Sequence, residues 1–87
     1  MAETNVIRAR YWAAAKAAAG TDREPYDAET LAEALDAARA AHGPDFARVI
    51  SVCSYVVDSE PVGTRDHAEV KLPDGGVVEV LPPFAGG

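Results

Sequence analysis

The chain has 87 residues, of which 48% are hydrophobic and 25% charged, so it can bury one core and predicts a single small globular domain. Fourteen acidic residues against eight basic ones give a net charge of −6, which argues against non-specific binding to nucleic acid. The longest apolar stretch, residues 13–19, is short and interrupted by Lys16, so no membrane span is expected.

The sequence offers few candidates for metal, redox or nucleotide chemistry. Cys53 is the only cysteine, so an internal disulfide and a cysteine-based metal cluster are both excluded, and its apolar surroundings predict a small core residue. His42 and His67 are isolated, which gives no metal site, and no glycine-rich phosphate loop precedes a helix. Residues 1–10 contain no apolar signal core, so a cytoplasmic location is expected.

The first half of the chain predicts a strand, a short helix, an edge strand and a long helix. Residues 5–11 alternate between apolar and basic side chains, as a half-buried strand does, and residues 12–19 form an alanine-rich helix that ends at Gly20. Pro25 restricts any strand in residues 21–27 to a sheet edge. Thr30 and Glu33 form a capping box, and the amphipathic helix that they begin ends at residues 43–44.

The second half predicts mainly extended structure. After a linker around residues 44–45, the β-branched run of residues 48–57 predicts a strand centred on residues 52–57. A weak strand is expected at residues 62–65 and an irregular extended piece at residues 68–72. Residues 73–76 are a strong turn signal, and the last strand, VVEVL, follows. One long helix on one mixed sheet is a two-layer α+β arrangement.

The chain closes with the apolar segment LPPFAGG. Pro82 and Pro83 cannot donate hydrogen bonds to a sheet, so we expect them to leave it as a stiff extended stalk. Gly86 and Gly87 have no side chains, so the tip is narrow enough to enter a channel in a partner. Phe84 either packs back on the domain or anchors the tail in a partner pocket. The carboxylate of Gly87 is therefore a candidate reactive group, although a frayed terminus is an equal alternative on these grounds.

LPPFAGG, together with RYWAAAKAAAG and TLAEALDAARAAHG, resembles the MoaD/ThiS-type ubiquitin-like sulfur carriers, and within them the small subunits of molybdopterin synthase. The resemblance covers residues 6–87, although Gly76 stands where the family often has an acidic residue. It implies a β-grasp fold with four to five strands packed on one main helix plus a short helix, and with the first and last strands parallel at the sheet centre. Residues 1–81 would form this domain and residues 82–87 an extended tail.

The resemblance also implies a reaction cycle. An adenylyltransferase related to ubiquitin-activating enzymes would use ATP and magnesium to adenylate Gly87, and a persulfide donor would convert it to a thiocarboxylate. The tail, residues Pro82, Pro83, Phe84, Ala85 and Gly86, would then enter the large subunit of molybdopterin synthase. This chain would bind no cofactor or metal itself. The alternatives are a carrier for thiazole or cysteine synthesis, a ubiquitin-like protein modifier, and a plain interaction domain.

Overall fold

The computed structural model describes residues 5–83, in which the chain forms five strands, three α-helices and one short 3-10 helix. In chain order these are β1 (Val6–Tyr11), α1 (Ala13–Ala19), β2 (Arg23–Asp27), α2 (Leu31–His42), α3 (Pro44–Ile50), β3 (Ser54–Val57), β4 (Glu60–Pro61), the 3-10 helix (His67–Glu69) and β5 (Val77–Leu81). The predicted tail residues Phe84, Ala85, Gly86 and Gly87 lie outside the described residues.

The five strands form one mixed sheet in the order β2-β1-β5-β3-β4. The last strand, β5, lies at the centre, parallel to β1 on one side and antiparallel to β3 on the other. This is the arrangement of first and last strands that a β-grasp fold requires, so the predicted fold is confirmed. The proline-containing strand β2 lies at the sheet edge, as Pro25 predicts.

Side-chain alternation along the strands decides which face of the sheet the helices cover. Ile7, Ala9 and Tyr11 of β1 and Val78 and Val80 of β5 are all buried on one face. Helix α2 contributes its apolar stripe to the same core, and α3 adds two fully buried side chains. The helical members of the core are Ala15, Leu31, Ala34, Leu35, Ala38, Phe46 and Ile50.

The predicted helices of the first half are confirmed, except that α1 begins at Ala13, one residue later than predicted, and local contacts explain where these helices start and end. The Thr30 hydroxyl accepts the backbone N–H of Glu33 at 3.2 Å, and the Glu33 carboxylate accepts the backbone N–H of Glu29 at 2.8 Å. The first bond satisfies one of the backbone donors that a helix start leaves free, and the second fastens Glu29, the residue before the cap, to the first turn of α2. At the end of α1, Gly20 adopts φ 76°, a left-handed conformation in which a side chain would be strained.

The predicted linker at residues 44–45 is wrong, because residues 44–50 form helix α3. Pro44 is at the start of this helix, where its missing N–H costs nothing, and Phe46 and Ile50 lie four residues apart on its buried face. Burial of these two side chains outweighs the strand preference of the β-branched residues around them. The strand that follows is consequently shorter than predicted and begins only at Ser54.

The extended pieces predicted at residues 62–65 and 68–72 are also wrong in position or type. The short strand is Glu60–Pro61, and Val62 after it is a buried residue whose N–H donates to the Tyr55 carbonyl at 2.9 Å. Residues 67–69 form the 3-10 helix, and Lys71 forms an isolated bridge with Thr30.

Within residues 5–83 no helix is long and apolar enough to cross a membrane.

The turn before β5 is as predicted, and it explains why glycine occupies position 76. The Gly76 N–H donates to the Pro73 carbonyl at 2.9 Å, and a Cβ on Gly76 would lie 2.8 Å from that same oxygen. An acidic side chain cannot be placed there without moving the turn. Asp74 instead accepts the Val6 N–H at 3.0 Å, which fastens the turn to the start of β1.

Candidate functional site at the end of strand β5

The stalk, Pro82 and Pro83, begins at the end of β5, the central strand of the sheet. Leu81, the last residue of β5, is in register with Ser54 of β3, and the Val80 carbonyl accepts the Trp12 N–H at 3.2 Å. Strands on both sides therefore hold β5 up to Val80, and β3 alone pairs with Leu81. Pro82 is half-buried and Pro83 is exposed. A chain leaving this point starts from a fixed position, because paired strands restrain β5 up to its end.

The side of the sheet opposite the helices is here called the open face. Its members follow from the strand register, because paired residues point to the same side. They are Val6, Arg8, Arg10, Arg23, Pro25, Asp27, Ser54, Val56, Pro61, Val77, Glu79 and Leu81, with Trp12 continuing the alternation of β1. The open face thus reaches the base of the stalk.

Trp12 is the most prominent aromatic side chain near the stalk. Its exposed fraction is 41%, and the Arg10 guanidinium lies 5.0 Å from the centre of its ring. Such a cation–π contact contributes about 0.5–1 kcal/mol at an exposed site and orients both side chains. The Trp12 backbone is bonded to Val80, the residue before the apolar, half-buried Leu81. An exposed aromatic next to an apolar strand end is typical of protein-docking surfaces.

A polar cluster on the covered face ties the edge strand β2 to β1 and α2. The Glu24 carboxylate accepts hydrogen bonds from the hydroxyls of Tyr11 at 2.8 Å and Tyr26 at 2.7 Å, and it makes a close contact with His42 Nε2. The cluster fixes Tyr11, the neighbour of Trp12, beneath the base of the stalk. Sequence reasoning placed His42 only at a helix end, because the strand register that brings Glu24 to it is a tertiary property.

The pKa values in this cluster reflect burial and hydrogen bonding together. Burial alone would raise the pKa of Glu24, but the hydrogen bonds from His42, Tyr26 and Tyr11 outweigh it and leave that pKa below its usual value. Burial is the largest cause that raises the pKa of Tyr11 far above its ordinary value and that of Tyr26 to about 12. The two phenols therefore stay protonated at neutral pH and serve as donors to a carboxylate. This is a structural arrangement, not a nucleophile with its base.

The other sequence candidates do not assemble a reactive site. Cys53 lies in the turn between α3 and β3, partly buried against the core, and its thiol donates to the Val49 carbonyl at 3.3 Å. Burial raises the pKa of that thiol, which makes it a poorer nucleophile. His67 packs edge-on against Tyr55, with 5.1 Å between the ring centres. In the part of the chain that the structure describes, no three His, Cys, Asp or Glu side chains could hold a metal ion together.

Comparisons with known proteins agree with this fold. The sequence profile of the ThiS family matches residues 9–87. No curated protein sequence gives a match. Among solved structures, small archaeal modifier protein 1 from Methanosarcina acetivorans has a TM-score of 0.84 and 19% identity, with 99% of this chain and 100% of that chain covered.

Two further solved structures carry names from molybdopterin chemistry. The putative molybdopterin converting factor, subunit 1, from Pyrococcus furiosus has a TM-score of 0.75 and 19% identity over 91% of this chain and 98% of that chain. A chain of the complex of molybdopterin-converting factor subunits 1 and 2 from Helicobacter pylori has a TM-score of 0.70 and 21% identity over 94% of this chain and 99% of that chain. At such identities these likenesses show the fold, whereas the family profile covers most of the sequence. The chain therefore belongs to the ThiS family and is a MoaD/ThiS-type ubiquitin-like protein.

Proposed function

We propose that this protein is a sulfur carrier for molybdopterin synthesis, the small subunit of a molybdopterin synthase, with the carboxylate of Gly87 as its reactive group. The observation that carries the proposal is the course of β5, the central strand, which leads directly into Pro82 and Pro83 within a family match that continues through residue 87. A rigid domain with a stiff stalk suits the delivery of a terminal group into a partner's active site.

The proposed chemistry starts with activation of a poor acyl donor. An oxygen of the Gly87 carboxylate attacks the α-phosphorus of ATP on an adenylyltransferase, and pyrophosphate leaves, with magnesium stabilising the phosphates. The terminal sulfur of a persulfide then attacks the acyl carbon, and AMP leaves with the bonding electron pair. A thiol cleaves the resulting acyl disulfide, which yields the thiocarboxylate and a new disulfide.

This chain contributes position and access, and its partners contribute the acid–base groups. Gly86 leaves room around the last carbonyl, Pro82 and Pro83 direct the tail, and Phe84 and Ala85 seat it in the partner. ATP and magnesium are bound by the ubiquitin-activating-enzyme-like adenylyltransferase. The sulfur acceptor is the large subunit of molybdopterin synthase, and the whole cycle takes place in the cytoplasm. The Helicobacter pylori neighbour, a complex of subunits 1 and 2 of molybdopterin-converting factor, supports a large-subunit partner.

Intact-mass spectrometry tests the proposal. The untagged protein is incubated with ATP, magnesium, sulfide and the adenylyltransferase of its own cell. We expect a mass gain equal to the exchange of one oxygen for sulfur, localised to Gly87. A variant lacking Gly87 and a variant extended beyond it should show no gain while retaining the thermal unfolding midpoint of the wild type. Sulfur transfer by either variant would contradict the proposal.

A protein-modifier function is the second candidate, favoured by the likeness to small archaeal modifier protein 1 over the whole of that chain. It predicts isopeptide bonds between Gly87 and lysine side chains of other proteins. Tryptic mapping of conjugates from cells separates the two functions, because trypsin cleaves after Lys71, the last basic residue, and a modifier therefore leaves residues 72–87 attached to the target lysine, whereas a carrier leaves nothing. Co-purification with a thiazole synthase instead of a molybdopterin synthase large subunit would point to a different sulfur acceptor.

A further inference from the structure

We propose that Arg8, Arg10 and Arg23, here called the arginine band, dock a row of carboxylates on the protein that activates the tail. This inference rests on the proposed function, since it names the chemistry of a partner surface that the function requires. It is carried by the placement of three like charges on the open face, beside the base of the stalk.

The arginine band occupies neighbouring positions on two adjacent strands. Arg8 and Arg10 are two residues apart on β1, and Arg10 is directly in register with Arg23 of β2. All three point to the open face, because Arg8 and Arg10 flank the buried Ala9 and Arg23 is on the same side as Arg10, with which it is in register. Arg8 and Arg23 are exposed and Arg10 is half-buried against Trp12.

This placement is unfavourable for the isolated domain. Like charges directly opposite each other on neighbouring strands destabilise a sheet, whereas an opposite-charge pair would contribute about 0.2–1 kcal/mol. Glu79 of β5 is in register with Arg10 on its other side, yet the two form no ion pair. The placement of Arg10 opposite Arg23 does not stabilise the isolated domain. Binding of an acidic surface on a partner would explain why both charges are there.

Some basic side chains elsewhere in the chain have acidic partners, whereas two members of the band have none in the described part of the chain. The protein carries a net charge of −6, and two helical arginines elsewhere are neutralised by acidic neighbours: Arg39 lies 3.0 Å from Asp36 and Arg48 lies 3.0 Å from Asp45. In contrast, Arg8 and Arg10 form no ion pair with any other residue between 5 and 83. Arg23 contacts Asp22 at 3.8 Å, but both side chains are more than half exposed and water screens that pair.

A pocket beside the arginine band could receive a side chain from a partner protein. Arg10, Trp12, Lys16 and Asp22 line a pocket of about 180 Å³ at the end of β1. Its lining carries two cationic side chains and an exposed aromatic against one carboxylate, Asp22, so a partner carboxylate that entered it would still meet a net positive charge. A partner that covers Trp12 and Leu81 to receive the stalk would also cover the band, so apolar and acidic groups on one surface are the expected complement.

Association kinetics with the adenylyltransferase of the same cell test this inference. The band variant is R8Q/R10Q/R23Q, and the control R39Q/R48Q/K71Q also removes three positive charges but none from the open face. At about 50 mM salt we expect the band variant to associate at least about tenfold more slowly than wild type, with the difference closing as salt rises to about 500 mM. The control should stay within about twofold of wild type.

The outcomes separate the two proposals. Equal rates for the band variant and the control would overturn the inference, and the mass gain on Gly87 in the same reactions would show that the proposed function still stands. Band-dependent association without any mass gain would support the docking surface and reject the sulfur-carrier function. No association of the wild type would reject both. Band-dependent binding of duplex RNA in place of the enzyme would overturn the assignment of an acidic protein.

Discussion

Replacing Glu24 by glutamine should destabilise the fold measurably, because Glu24 connects three elements of the covered face. Its carboxylate accepts hydrogen bonds from Tyr11 and Tyr26 and pairs with His42. Glutamine retains a carbonyl acceptor but loses the charge that strengthens all three contacts. A hydrogen bond to a charged group contributes about 1.5–3 kcal/mol when buried, and the 23% exposure of the Glu24 side chain places the expected loss near the lower limit.

A loss of about 1.5 kcal/mol corresponds to a decrease of roughly 6–12 °C in the unfolding midpoint of a domain of this size. The effect should also depend on pH. Because the folded pKa of Glu24 lies below its unfolded value, the charged carboxylate stabilises the fold above the ordinary glutamate pKa, about 4.3. This contribution is lost as the pH falls through the lower, folded pKa, so wild type and Glu24→Gln should converge in acid.

Urea unfolding followed by circular dichroism, at pH 7 and at successively lower pH, measures this difference. Glu60→Gln is the matched control, since it removes an exposed carboxylate on the short strand β4 and should change the free energy of unfolding by less than about 0.5 kcal/mol. Equal stability of Glu24→Gln and Glu60→Gln at pH 7 would refute the role of the cluster. A difference that persists unchanged below the folded pKa would refute the charge-based explanation.

Three further substitutions test the fold, each by urea unfolding. Phe46→Ala should cost about 3–5 kcal/mol because the ring is fully buried, whereas Val52→Ala, at 64% exposure, should change little. Thr30→Ala should cost about 1 kcal/mol through loss of the helix cap, and Thr30→Ser should restore most of it. Gly76→Asp should cost about 1–3 kcal/mol, since its Cβ would collide with the Pro73 carbonyl; wild-type stability would contradict that contact.

The sequence predicted well those elements whose signals are local. The capping box at Thr30 and Glu33, the glycine after α1 and the turn at residues 73–76 each act through neighbours only a few residues away. Alternation along β1 likewise predicted which side chains are buried. Helix α3 was missed because its β-branched residues favour a strand locally, while burial of Phe46 and Ile50 favours a helix in this tertiary context.

The candidate functional site also has parts that the sequence predicted and parts that only the tertiary structure shows. The stiffness and narrowness of the tail were predicted from the sequence, because they are properties of single proline and glycine residues. The chemistry of the tail was implied by the family resemblance, and it stays a prediction. The arginine band and the Glu24 cluster could be found only in the folded chain. Arg10 meets Arg23, and Glu24 meets His42, through strand register and helix packing between residues that are 13 and 18 positions apart. The structural preferences of single residues do not specify how neighbouring strands align. Tertiary packing alone therefore decided which charged residues became neighbours.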